Sequence, residues 1–443
     1  MAVERQQPAK SMLSFLVIWV GQQFSIVGSH IVQFALVWWV TKATGSATIL
    51  ATGTLVAMIP QVFLGPIAGT LVDRWNRRLV MIVADAVVAL STLWLAFMFW
   101  SGQIQVWHVF VVMFVRSLGG AFHWPAMQAS TSLMVPDRHL SRVAGLNQTT
   151  MGLLNIVGPA LGALLLEVLV ELHYVVMVDI FTALLAIAPL LFVAVPQPDR
   201  SAEAAANGGQ KPSVWADFRA GLRYVRAWPG LMAVIGMAMV INFVATPAFS
   251  LMPILITKHF QGGAGQLAAM DSTWGAGVAL GGLFLSMWGG FKRKVFTSLV
   301  GLMLMGTGVV IIGVAPATLF GVAVAGMFLS GFMNPITNGP LFAVMQSIVT
   351  PDMQGRVFTL LGSGASAMTP ISLLVAGPVA DAVGVQWWFV VGGLTCVLMG
   401  IGALFVPAIM NLEKGREAQA AGEAMGTPAI KTPGGAAADA EQV

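Results

Sequence analysis

The sequence predicts an all-α membrane protein of twelve transmembrane helices, arranged as two pseudo-symmetric six-helix bundles. Three observations lead there. First, the 443-residue chain is 57% hydrophobic and only 9% charged. Soluble domains carry roughly 25% charged residues, so this chain cannot cover itself with a water-facing surface. Second, it divides into twelve apolar runs, each long enough for the ~20 residues a spanning helix needs. Third, one offset relates the two halves. Pro125, Pro136 and Asp137 recur as Pro340, Pro351 and Asp352, a shift of 215 residues each time (340 − 125, 351 − 136, 352 − 137). The same shift carries Arg77-Arg78 onto Lys292-Arg293.

The first run, 12–40, exceeds a signal-peptide core and has no small-residue cleavage pattern, so it stays as a helix. Runs at 46–72, 79–100, 104–135, 142–167 and 174–195 complete the first half. The second half repeats the count at 229–257, 267–290, 295–314, 317–349, 356–382 and 386–408. Between the halves, 196–213 is rich in Pro, Ala, Gly and charge and reads as a flexible linker. Trp215, Phe218, Leu222 and Val225 then recur at helical spacing, with Arg219, Arg223 and Arg226 on another face. That pattern fits a helix lying along an anionic leaflet. The expected domains are an N-terminal bundle over 1–195, a cytosolic linker with its interfacial helix over 196–228, a C-terminal bundle over 229–412 and a disordered cytosolic tail over 413–443.

Orientation follows from Lys and Arg in the loops. With a cytosolic N-terminus, 19 of the 22 basic residues fall inside; Lys42 and Lys258 fall outside, and Arg116 lies within a span. Both termini are therefore expected on the cytosolic side. The net charge of +4 reflects this asymmetry and does not point to nucleic acid. Cys396 is the one cysteine, so no internal disulfide can form. The 26 Met, 14 Trp and 25 Phe read either as lipid-facing and core filler or as a pliable binding cavity.

The stretch from Gly65 to Arg78 carries the most information. Gly65 and Gly69, four apart, leave one helix face bare for close approach of another helix. Asp73, Arg74, Arg77 and Arg78 then end the apolar run at a membrane surface, since a bilayer core penalises each charge. Arg116, about mid-bilayer, needs a partner or a water-filled cavity, because a central arginine costs ~2.5–3.5 kcal/mol on insertion scales. His123 follows two turns along the same face. Asp179 and Asp85 are the buried acids that could carry protons. Asp85, six or seven residues past the arginine pair, is expected to form an ion pair near the cytosolic surface. Gln22, His30 and Gln33 of the first span, with Asn242, Asn334 and Asn338 of the seventh and tenth, are candidates to meet substrate, or else to act as glue between helices. No P-loop, H-E-x-x-H or G-x-S-x-G pattern occurs, which argues against ATP hydrolysis and membrane-hydrolase chemistry.

Gly65, Gly69, Asp73, Arg74, Arg77 and Arg78 together resemble the G-x-x-x-D-R-x-x-R-R signature between the second and third helices of major facilitator superfamily transporters. The resemblance covers the twelve-span chain and implies a substrate pocket between two bundles that rock to alternate access. It implies that Asp73 latches to the eleventh helix and stabilises the outward-open state; the second half has Trp288 at that place. Arg116-Ser-Leu-Gly119-Gly120 resembles the family's fourth-helix motif linked to proton coupling, without its usual glutamine. Gly152, Gly158-Pro159 and Gly162-Ala163 are similar to the antiporter motif of drug/proton exporters, with the opening glycine displaced and alanine last. Gly21-Gln22-Gln23-Phe24-Ser25 and Thr44-Gly45-Ser46-Ala47 look most like the macrolide-efflux and enterobactin-exporter branch. That branch implies a prokaryotic inner-membrane exporter of amphipathic small molecules driven by proton antiport. The partners it implies are a small-molecule substrate, protons and the lipid bilayer. No cofactor, metal, nucleic acid or enzymatic activity is expected, and the chain is expected to act as a monomer. A nutrient importer or facilitator on the same fold, and a non-transporting scaffold, remain alternatives.

Overall fold

A computed structural model describes residues 11–72, 74–169, 171–197 and 214–413. These residues are almost entirely helical and contain no strand. In a bilayer this is forced, because without water the backbone must satisfy its own hydrogen bonds. The principal helices are α1 (Met12–Thr44), α2 (Ala47–Val72), α3 (Arg77–Trp100), α4 (Val106–Met134), α5 (Leu140–Val168) and α6 (Leu172–Phe192). They continue as α7 (Val214–Arg226), α8 (Pro229–Ser250), α9 (Ala264–Trp288), α10 (Lys294–Val314), α11 (Phe320–Ile348), α12 (Pro351–Val383) and α13 (Val385–Leu404). All but α7 have 20 residues or more. Eleven of those twelve are apolar enough as well as long enough to cross a membrane. The exception is α9, in which Gln266, Asp271 and several Gly and Ser lower the hydropathy without shortening the helix.

The duplication is visible in the helix starts. Moved forward by 215, the starts of α1–α6 fall at 227, 262, 292, 321, 355 and 387 (12 + 215 through 172 + 215). Those of α8–α13 fall at 229, 264, 294, 320, 351 and 385. The helix ends follow local chemistry. The Ser11 hydroxyl accepts from the Ser14 amide at 3.3 Å to start α1, which continues past the expected residue 40 until Gly45 turns left-handed (φ 60°). Asn76 caps α3 by accepting from the Leu79 amide at 3.2 Å. The seventh run, expected unbroken over 229–257, stops at Ser250. A short turn at Met252–Ile254, with Pro253 at its start, leads into a π-helical turn over Leu255–His259. Proline lacks the amide proton that would continue the α8 ladder.

Two compact units result. One is built on α1–α6 together with Ser250–Ser272; the other holds α7, α8 up to Phe249, and the chain from Thr273 through α13. Within the first unit, the Ser272 hydroxyl donates to the Ile156 carbonyl at 2.7 Å, tying the added segment to α5. The first unit has an apolar cluster at each end. Phe15, Ile18, Met81, Met134 and Leu190 form one, and Val32, Leu36, Leu95, Val112 and Val176 the other. Between those clusters lie the polar side chains of α1, α3, α4 and α6. In the second unit α10 packs against α11 and α13, and α7 rests on α12. Gly221 of α7 sits against Leu360 and Arg356, with Val225 buried and Arg219, Arg223 and Arg226 exposed, so this helix is amphipathic as its spacing predicts. The Trp215 and Phe218 side chains lie outside the described residues.

Candidate functional site

Between the two apolar clusters of the first unit is a cavity of about 510 Å³. α1 supplies one wall, because Gln22, Ser29, His30 and Gln33 interrupt its apolar sequence on successive turns. α4 supplies Arg116, Ser117 and His123, α3 supplies Asp85, and α6 supplies Asp179.

The centre of the site is an ion pair. Arg116 donates to Asp179, and the two side chains are 8% and 1% exposed. With its partners it joins four helices, α1, α3, α4 and α6. Arg116 also donates to the Thr92 hydroxyl at 3.1 Å and to the Ser29 carbonyl at 3.2 Å. Asp179 accepts from the Ser29 hydroxyl at 3.1 Å and from Thr92 at 3.2 Å. Every oxygen of this carboxylate is thereby occupied. A buried pair survives in low dielectric only when its remaining hydrogen-bonding capacity is met in this way.

Asp85 stands in a different environment. It accepts from the Gln22 amide at 3.1 Å and lies 3.6 Å from His123 Nε2. The nearby arginines of the loop turn elsewhere. Arg77 donates to the Ala129 carbonyl of α4 at 2.8 Å, and Arg78 reaches the Leu190 and Leu191 carbonyls in the last turn of α6. A guanidinium at a helix C-terminus meets both the helix dipole and carbonyls with no partner in the helix. Arg78 therefore clamps the end of α6, while Arg77 ties α3 to the last two turns of α4. Arg74 is exposed in the turn after α2. Asp73 lies outside the described residues.

The glycine expectations divide. A Cβ built on Gly162 would meet the Phe34 ring at 2.8 Å, and one on Gly158 would meet His30 at 3.3 Å, so α5 presses on α1 through this stripe, with Pro159 inside the helix. At Gly65 and Gly69 the expectation of a close helix contact is not met; among the described residues no atom of another helix lies within 4 Å of a Cβ built at either position. Of the substrate candidates, Gln22, His30, Gln33 and His123 line the cavity. Asn242, Asn334 and Asn338 belong to the second unit. Asn242 donates to the Ala238 carbonyl at 2.9 Å, and Asn338 to the Asn334 carbonyl at 3.0 Å.

Several lining residues escaped the sequence reading: Trp19, Gln61 and Asn147. Thr92 itself was also missed, although it lies seven residues from Asp85, two turns along one face of α3. The Trp19 indole donates to Asn147 at 2.6 Å, a second link between α1 and α5.

A family model described as transmembrane secretion effector, a major facilitator family, matches residues 8–433. The chain belongs to that family. It is 31% identical over 401 residues to macrolide efflux protein A of Streptococcus pyogenes, covering 90% of this chain and 98% of that protein. It is 28% identical over 400 residues to the multidrug efflux pump Tap of Mycolicibacterium fortuitum, covering 87% and 94%. Among solved structures, a peptide transporter POT in complex with sulfate aligns with a TM-score of 0.65 at 14% identity, covering 92% of this chain and 97% of that one. The xylose transporter XylE from E. coli, in an inward-open conformation, aligns at 0.62 and 14% identity, covering 91% and 99%. At such identity the solved structures speak for the fold alone. The sequence relatives place the chain in the macrolide-efflux branch of the superfamily. It is a multi-pass membrane transporter of small molecules and not an enzyme.

Proposed function

We propose that this transporter exports amphipathic small molecules by alternating access, in exchange for protons. The observation that carries the reading is the cavity of about 510 Å³, in which aromatic walls and titratable groups meet around the Arg116–Asp179 pair. Apolar and aromatic surface suits the body of an amphipathic compound, while Asp179, Asp85 and His123 supply sites where a proton can be held. The direction is taken from the sequence relatives, which are macrolide and multidrug efflux proteins. In this reading Asp73 and the arginine loop bias the equilibrium between the two access states, and Arg116 with a buried acid couples that equilibrium to protons. The glycine contacts of α5 on α1 let helices pivot. Asn242, Asn334 and Asn338 meet the substrate from the second half. The chain works as a monomer in the cell membrane with both ends in the cytosol.

Everted vesicles with an imposed inward-acid gradient test coupling. Substrate should accumulate while the gradient stands and leak when it is collapsed; accumulation indifferent to collapse removes the antiport. Asp73→Asn should impair transport while leaving expression intact, and full activity removes the gating role. Labelling from each side of the membrane checks the termini.

A further inference from the structure

The 215-residue offset relates two copies of one basic loop, and the two copies spend their charge differently. In the first unit Arg77 and Arg78 turn inward, to the Ala129 carbonyl and to the Leu190 and Leu191 carbonyls. Their counterparts Lys292 and Arg293 are exposed, and among the described residues neither side chain makes a hydrogen bond or an ion pair. Trp288 stands at the place of Asp73, so the acid of the first copy has no equivalent here. Other contacts fix the turn. Gly289 and Gly290 take left-handed backbone (φ 73° and 81°), the Phe291 amide donates to the Thr297 hydroxyl at 2.9 Å, and Lys294 donates to the Gly289 carbonyl at 2.6 Å. Glu413 accepts from the Val295 amide at 2.8 Å, which fills the first turn of α10 with a carboxylate of the protein itself. Lys292 and Arg293 are thus held at the surface without being needed to hold the turn.

The surface leading to them is apolar. Leu280, Leu283, Phe284, Met287 and Trp288 are between 40% and 88% exposed. They recur at i, i+3, i+4, i+7 and i+8, one stripe of α9 about 12 Å long at 1.5 Å per residue. Trp288 meets Phe291 edge-on at 4.8 Å, and Phe291 is itself 42% exposed, so the stripe ends in aromatic rings beside the two cations. Apolar side chains, then interfacial rings, then unpaired positive charge is the order of chemistry along a phospholipid from chain to headgroup.

We propose that Lys292 and Arg293, with Trp288 and Phe291, form a binding site for one anionic phospholipid. Its phosphate lies on the two cations and an acyl chain lies along the α9 stripe. Charge selects the lipid, because a zwitterionic headgroup brings an ammonium of its own that the two cations repel. The loop that in the first unit ties helices to one another ties the second unit to the bilayer.

Native mass spectrometry of the full chain, released from micelles holding equimolar dioleoyl phosphatidylglycerol and dioleoyl phosphatidylcholine, tests this without any transport. The first lipid retained should be phosphatidylglycerol by at least fivefold. Lys292→Gln with Arg293→Gln should bring that ratio close to one. Arg138→Gln with Arg142→Gln removes the same charge from exposed positions of the first unit and should leave the ratio unchanged. Trp288→Ala should lower retention of both lipids severalfold. Equal retention of the two lipids by the parent, an unchanged ratio without Lys292 and Arg293, an equal fall in both double variants, or undiminished retention in Trp288→Ala overturns the site. Full displacement by glycerophosphoglycerol at the concentration of the lipid would show that the cations read a soluble phosphodiester, and overturns the lipid assignment.

Discussion

The two units share a helix plan but not an interior. In the first, the buried polar residues include Gln22, Arg77, Asp85, His108 and Asp179. In the second, every buried polar residue described is a serine or threonine: Thr297, Ser298, Ser330, Thr337, Thr369 and Ser372. Several of those hydroxyls return to helix carbonyls, as Thr337 does to Met333 at 2.9 Å and Ser330 to Met305 at 3.1 Å. Glycine is used differently as well. A Cβ on Gly306 would lie 2.6 Å from the Gly393 carbonyl, and one on Gly393 would lie 2.6 Å from the Val310 amide, so α10 and α13 touch backbone to backbone. In the first unit Gly53 meets Phe110 and Gly162 meets Phe34 through side chains, while a Cβ on Gly21 of α1 would lie 2.8 Å from the Leu185 carbonyl of α6. Duplication preserved the path of the chain, left charge chemistry with one copy and gave the other its α10–α13 backbone contact.

The largest expected effect breaks the first interior. Asp179→Asn leaves the Arg116 guanidinium buried without its counter-charge, a change that destabilises by about 3–5 kcal/mol. Thermal unfolding in detergent should show a large drop in Tm and folded yield. Removing both charges, as Arg116→Met with Asp179→Leu, should recover much of that stability, since it leaves no orphaned ion, while transport stays lost. An Asp179→Asn protein with an unchanged Tm contradicts the view that this unit is organised around the pair.

Next comes the second interior. Gly393→Ala sets a methyl against backbone that cannot rotate away, and overpacking of this kind costs about 1–3 kcal/mol. Gly65→Ala, with nothing within 4 Å, should stay within about 0.5 kcal/mol of the parent. The pair of Tm values sharpens what the open glycines are for. A Gly65→Ala protein with normal Tm but weakened transport assigns Gly65 a contact in another state of the cycle. Equal Tm losses at both sites contradict the difference in packing.

How much of this was legible in the sequence follows from range. Helices are local, and long apolar runs recorded all twelve, with the 215-residue offset recording their duplication. Proline chemistry at Pro253 is local too, yet a purely apolar count passes over it. That Arg116 needed a partner was legible from the cost of an isolated charge. Which acid answered it was not, because Asp179 is 63 residues away and Asp85 is nearer in sequence. Asp85 was expected to form an ion pair near the cytosolic surface, whereas Arg77 and Arg78 reach carbonyls of α4 and α6 and Asp85 faces Gln22 and His123. Gly65 and Gly69 show the limit of a spacing rule. A bare helix face permits a contact without requiring one in every state of a moving protein.

A smaller effect is expected at the contact of α5 on α1. In Gly162→Ala the new methyl meets the Phe34 ring, a side chain able to shift by a few tenths of an ångström, so the loss should be about 1 kcal/mol, at the low end for overpacking. A Tm loss as large as that of Gly393→Ala would mean the first unit is packed as rigidly as the second.

The smallest change in stability should come from Asn338→Ala. The exposed amide donates only to the Asn334 carbonyl one turn back at 3.0 Å, a bond within its own helix. Substitutions away from buried or strained features stay within about 0.5 kcal/mol, so unfolding should be unaffected. Substrate affinity is the informative readout. A weakened affinity at unchanged Tm gives the second unit a share in recognition despite its uncharged interior. Unchanged affinity confines recognition to the first unit, and the split between a chemical half and a packed half becomes complete.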